Sequence, residues 1–118
     1  MVNNIELGYL LDCYGMFLTE RQRTLLEMHV NEDYSLREIA EHANISRQGV
    51  RDALKRGEQQ LVEMEAHLGI YKRGKALLAE LNRLQTSISA LEIPLQEQEK
   101  LLEHIETIRR IWEDGYGI

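Results

Sequence analysis

The sequence is poor in the residues that make disulfide scaffolds, sheets and membrane spans. It has one Cys, one Pro, one Phe and one Trp, and aromatics are only 6% of its 118 residues. A single Cys13 cannot close an internal disulfide, so nothing points to an oxidising compartment. Few aromatics disfavour strands, which draw on aromatic and β-branched side chains. With Pro94 alone, long stretches are left in which a helix need not break. No apolar run approaches the roughly 18 residues of a membrane span. The first residues lack both a basic start and a small-residue cleavage site, so a signal peptide is not expected. The cytoplasm is the expected location, with no membrane partner.

What is present is ordinary for one small globular chain: 43% hydrophobic and 29% charged residues, enough for a modest core. The net charge of −6 at first opposes a nucleic-acid partner, but the distribution matters more than the total. Within residues 46–57, Arg47, Arg51, Lys55 and Arg56 stand against Asp52, giving +3 and leaving −9 for the rest. A basic patch on an acidic body suits a polyanion on one face only, with affinity tempered by long-range repulsion.

Apolar spacing reads as helix throughout. Ile5, Leu7, Leu10, Leu11, Tyr14, Phe17 and Leu18 form a first stripe. Thr19 with Gln22 is a capping box that opens a second helix to about Asn31, with Leu25, Leu26, Met28 and Val30 inside. Ser35 with Glu38 is another, starting a short helix to about Ala43. Ser46 is a third N-cap, followed by the seam Val50, Leu54, Gly57, Leu61, Met64 and Leu68 up to Gly69. A further seam runs Leu77, Leu81, Leu84, Ile88, Leu91. Pro94 fits the first turn of a last helix, which offers Leu101, Leu102, Ile105, Ile108, Ile111 and Trp112 before Asp114-Gly115-Tyr116-Gly117. The fold class is all-α: a helix-turn-helix domain at 1–68 with an extended recognition helix, then long C-terminal helices at 69–118. Two arrangements share this seam spacing: the C-terminal helices folding back as a closed bundle on the N-terminal domain, and their pairing with a second copy. Pairing with a second copy is expected, because a recognition helix gains most from being presented twice.

The helix-turn-helix lies at about 36–55. Close helix approach needs a small residue, here Ala40, and the turn needs one tolerant of positive φ, here Asn44. Ile45 would plug the turn into the core, with Val50, Ala53 and Leu54 holding the second helix down. Arg47, Gln48, Arg51, Asp52 and Lys55 then face outward. Arg47 and Arg51 can bond guanine O6/N7, and Gln48 can bond adenine N6/N7. Ser46, Lys55 and Arg56 suit phosphates. Asp52 is expected to orient an Arg at spacing four, or to repel non-cognate contacts, and not to read a base.

Other constellations do not assemble into chemistry. Gly69-Ile70-Tyr71-Lys72-Arg73-Gly74-Lys75 has the spacing of a phosphate loop, but Ala76 stands where Ser or Thr must hold magnesium. It reads as a helix break with a basic cluster. His29, His42, His67 and His104 have no ligand spacing, and Cys13 is an ordinary buried thiol. Glu92, Glu97, Glu99, Glu103 and Glu106 form a solvated face. No catalytic residue, metal or cofactor is expected, so the chain is not read as an enzyme. Trp112 suits an interface anchor and a core position equally.

Leu18-Thr19-Glu20-Arg21-Gln22-Arg23, then Ser35-Leu36-Arg37-Glu38-Ile39-Ala40-Glu41 and Ile45-Ser46-Arg47-Gln48, resemble promoter-reading region 4 of bacterial sigma factors. A fuller resemblance, over nearly the whole chain, is to the YlxM-type proteins: Ser46-Arg47-Gln48-Gly49-Val50, Lys55-Arg56, Glu58 and Leu68-Gly69-Ile70-Tyr71. It departs from that pattern at Gly49, usually Ala, and at Arg51, often Tyr. The resemblance implies a bacterial cytoplasmic regulatory protein. It also implies a part in the signal recognition particle pathway, since genes of this kind lie beside that of the particle's GTPase. Two functions follow. One is a DNA-binding regulator, winged-helix-like or sigma-like, with RNA as the other nucleic-acid partner and a homodimer as its state. The other is an adaptor that uses the same scaffold on a protein or ribonucleoprotein.

Overall fold

The structure, a computed structural model, describes residues 3–116. Its elements are α1 (Asn4–Tyr14), a 3-10 turn (Gly15–Phe17), α2 (Glu20–Val30), α3 (Leu36–Ala43), α4 (Arg47–Leu68), α5 (Ile70–Ser89) and α6 (Leu95–Tyr116). Among the described residues there is no strand, so the wing of a winged helix is missing and the chain is all-α. It divides into two compact units, Met1–Gly69 and Ile70–Ile118.

Local chemistry sets the helix starts of the first unit. Both capping boxes form: the Thr19 hydroxyl accepts from the Gln22 N–H at 3.2 Å, and the Ser35 hydroxyl accepts from the Glu38 N–H at 3.1 Å. Each satisfies donors that the first helical turn leaves unpaired. Between them, the Tyr34 ring lies 5.1 Å from that of His42. The core is Leu7, Leu10, Leu11, Tyr14, Leu18, Leu25, Leu26, Ile39, Ala40, Val50, Leu54 and Leu61, all buried. Tyr14, fully enclosed, donates its hydroxyl to Glu65 Oε1 at 2.6 Å, tying α1 to α4. Where α4 crosses α2, a Cβ on Gly57 would fall 2.7 Å from Cδ1 of Leu26. Gly57 is therefore a point of close helix approach.

Two members of the expected first stripe lie outside this core. Ile5 is 73% exposed and Phe17 is 63% exposed. Ile5 stands on the face of α1 opposite Leu7, Leu11 and Tyr14 at 100° per residue. Phe17 leaves the buried face because α1 stops at Tyr14 and the chain tightens into the 3-10 turn, which advances the phase by about 120° per residue.

The second unit is an antiparallel hairpin. Its buried centre is Leu81, Ile88 and Ile105, flanked by Leu77, Leu78 and Leu102. Gln98 caps the end of α5 by donating Nε2 to the carbonyls of Ile88 and Ser89 at 3.0 and 3.2 Å. The Arg109 guanidinium donates to Asn82 Oδ1 at 3.0 Å and to Gln85 Oε1 at 3.1 Å. Pro94 directly precedes α6, its carbonyl accepting from the Glu97 and Gln98 N–H groups. Half of the expected seam is not inside: Leu84, Leu91, Leu101, Ile108 and Ile111 are exposed. Leu84 and Leu91 lie about 60° round α5 from Leu81 and Ile88, and α6 packs over the latter row and leaves the former uncovered. Trp112 is half-buried. α6 continues through Asp114 and Gly115 to Tyr116, while Gly117 lies outside the described residues. At the other end Gly69 (φ 63°) terminates α4, and the helix of α5 begins at Ile70, so 70–75 is not a phosphate loop.

Candidate nucleic-acid interface

α3 and α4 make the helix-turn-helix. Asn44 sits at φ 55° and ψ 46°, the left-handed conformation, and its N–H returns to the Ala40 carbonyl. The Ile45 N–H reaches the same carbonyl at 3.2 Å. An Asn side chain lowers the cost of positive φ, which explains why no glycine is needed there. Ile45 is half-buried beneath the turn, with Val50 and Leu54 buried behind it. Ser46 then caps α4, its Oγ accepting the Gly49 N–H at 2.9 Å. A Cβ on Gly49 would stand only 3.2 Å from that Oγ, so the glycine leaves the cap room.

The residues singled out on α4 are all solvent-facing, with Arg47, Arg51 and Lys55 in one row and Arg56 about 100° further round the helix. Ser46, Arg47, Gln48, Arg51, Asp52, Lys55 and Arg56 are all exposed, whereas Val50, Leu54 and Gly57 of the same helix are buried. Arg23, Arg37, Arg83 and Arg109 each form an ion pair with a Glu three or four residues away. Arg47, Arg51, Lys55 and Arg56 pair with no acidic group among the described residues. Their charge is directed at solvent, and Arg47 alone lies in the first turn, at the positive end of the α4 dipole.

Asp52 does not orient an arginine. Its Oδ1 accepts from Gln48 Nε2 at 3.0 Å, because spacing four is met equally by the residue one turn before. The bond fixes which way the Gln48 amide faces and leaves its Oε1 and one N–H for a ligand. Arg37, passed over in the sequence, lines an open groove of about 460 Å³ with Ala40, Glu41, Ile45 and Arg47. Its pairing with Glu41 at 3.3 Å offsets its charge, and only the three-dimensional turn brings it beside Arg47. Behind this surface, burial pushes the Cys13 thiol up to about 11, helped by Glu65 and Asp12. That makes it a poor nucleophile and a poor metal ligand. Among the described residues no three His, Cys, Asp or Glu side chains converge on one point.

Residues 1–105 match the UPF0122 family, described as "Putative helix-turn-helix protein, YlxM / p13 like". The chain belongs to this family. A UPF0122 protein of Acetivibrio thermocellus is 42% identical over 106 residues, covering 86% of this chain and 88% of that one. One from Clostridium kluyveri is 47% identical over 75 residues, or 64% of this chain and 68% of the relative. A UPF0122 protein of Bacillus velezensis is 34% identical over 106 residues, spanning 90% and 93% of the two chains. The UPF0122 match takes in the whole of α3 and α4, so the helix-turn-helix is a family feature as well as a geometric one. Among the described residues no helix is long and apolar enough to cross a membrane.

Proposed function

We propose that this UPF0122 protein is a nucleic-acid-binding regulator whose α4 enters the major groove of duplex DNA, acting by binding and not by catalysis. Arg47, Gln48 and Arg51 contact base edges, and Ser46, Lys55 and Arg56 hold phosphates. The observation that supports this most is the concentration of unmatched charge on one helix: Arg47, Arg51, Lys55 and Arg56 are all exposed on α4 and none is matched to a glutamate. The Asp52–Gln48 bond adds to it by pre-orienting an amide suited to adenine. In this reading the protein works in the cytoplasm as a homodimer. Its family likeness supports a place in the signal recognition particle pathway, where structured RNA would be a second polyanion for the same helix.

The test is a titration against duplex DNA and structured RNA at several salt concentrations, with an Arg47→Ala/Arg51→Ala variant beside the parent. Binding to duplex should weaken with salt, with a log–log slope of about −2 per protomer for the two cationic phosphate contacts, Lys55 and Arg56. The double variant should lose roughly tenfold or more in affinity. Binding to neither nucleic acid, or equal binding by the variant, contradicts the proposal and leaves an adaptor for a protein partner.

A further inference from the structure

The α5–α6 hairpin has two unlike sides. On one, Arg109 of α6 bridges to Asn82 and Gln85 of α5. On the other, Leu84 and Leu91 of α5 and Leu101, Ile108 and Ile111 of α6 are between 41% and 70% exposed. At 100° per residue, Leu84 and Leu91 are displaced about 60° from the buried Leu81 and Ile88, and Leu101 and Ile108 about 40–60° from the buried Ile105. The displacement has the same rotational sense in both helices. Because the helices run antiparallel, both rows come out on one side of the hairpin, opposite the Arg109 bridge. Leu84 faces the interval between Leu101 and Ile108, so the rows form a single apolar strip.

We infer that this strip is the surface on which the hairpin of a second copy of the chain docks, two hairpins closing into a four-helix bundle. The inference gives the homodimer of the proposed function its surface, and rests on that part of the reading alone. Three observations select a second copy. Among its described residues the hairpin buries only three large apolar side chains, Leu81, Ile88 and Ile105, and helical units this small ordinarily need a partner to complete a core. The five exposed side chains present roughly 450 Å² of apolar surface, within the range of about 300–600 Å² in which a monomer's largest patch is often functional, and most of what a dimer contact needs. A homodimer interface of standard size requires about 500 Å² of apolar area from each partner. Finally, the rim carries both signs in balance, with the paired Glu80 and Arg83 on α5 and Glu97 and Lys100 on α6 beside Ser87 and His104, so neither sign dominates a face that a two-fold contact sets against itself.

Sedimentation equilibrium on the full chain, without nucleic acid, decides it. At about 50 μM, well above the dissociation constant expected for an interface of this size, the parent should have twice the 13.8 kDa chain mass. Leu84→Glu/Ile108→Glu should sediment as a monomer with unchanged helical circular dichroism. The single variant Ile111→Glu, at a solvent-facing position that folding does not need, should raise the dissociation constant roughly tenfold or more. Ile5→Glu/Phe17→Glu, on the other exposed apolar face, should leave the dimer intact. A monomeric parent overturns both the surface and the homodimer. A dimeric Leu84→Glu/Ile108→Glu protein, or dissociation by the Ile5→Glu/Phe17→Glu pair alone, overturns the surface and keeps the homodimer. Nucleic-acid binding by the monomeric variant to a single half-site is unaffected in either case, so the two readings fail separately.

Discussion

Gly57 shows how one missing methyl sets a helix crossing. A Cβ there would stand 2.7 Å from Cδ1 of Leu26, which is 1% exposed and cannot swing away freely. Gly57→Ala gains about 1 kcal/mol of helix propensity but overpacks the crossing by about 1–3 kcal/mol. A net loss of about 1 kcal/mol is expected, lowering the midpoint in urea. In a Leu26→Ala background, where the obstruction is gone, the same change should stabilise; a sign that does not reverse would show that the contact is not what Gly57 relieves. Asp12 makes a second case. Asp12 is exposed, but partial desolvation by its neighbours, then repulsion from Glu27, raises its carboxyl above the usual 3.8. The folded chain therefore holds that proton more tightly than the unfolded chain, so this group's contribution to stability is largest at low pH and declines as pH rises through the folded pKa. Asp12→Asn should raise the melting temperature at pH 7, and its advantage over the parent should shrink towards pH 3. Neither effect was legible in the sequence, because both depend on which side chain a distant helix brings alongside.

At the scale of elements, what is local was legible. The starts of α2, α3 and α4 follow from Thr19, Ser35 and Ser46, since a cap is a contact across three residues. Asn44 was identified as the left-handed turn residue for the same reason. Asn44→Ala should cost about 1 kcal/mol, and Asn44→Gly should be neutral or slightly stabilising, as measured by thermal denaturation. Equal loss in both would place the role of Asn44 in its side chain and not in its φ. What depends on a partner was not legible. The seam Leu77, Leu81, Leu84, Ile88, Leu91 gives a spacing, but only the Arg109 bridge and the position of Ile105 show which of its members face α6. Asp52 was matched to the wrong neighbour because a helix offers i−4 and i+4 alike, and Gln48 is the one that turns towards it. Phe17 was misplaced because nothing in the apolar pattern announces the 3-10 turn after Tyr14.

For the whole molecule, the arrangement of charge outweighs its total. A chain of net charge −6 keeps four unpaired cations within residues 47–56 of the capped helix α4, while the acidic excess lies elsewhere. The proposed polyanion contact uses this part of α4, and added salt should weaken it there more than it relieves repulsion from the body. The most direct test is to follow the backbone amide signals of the isotope-labelled protein by nuclear magnetic resonance while duplex DNA is added. The account predicts that the largest shifts fall on residues 46–56, with smaller ones at Arg37 and Glu41 beside them. Shifts confined to α5 and α6, or no shifts at concentrations that saturate other helix-turn-helix proteins, would contradict it.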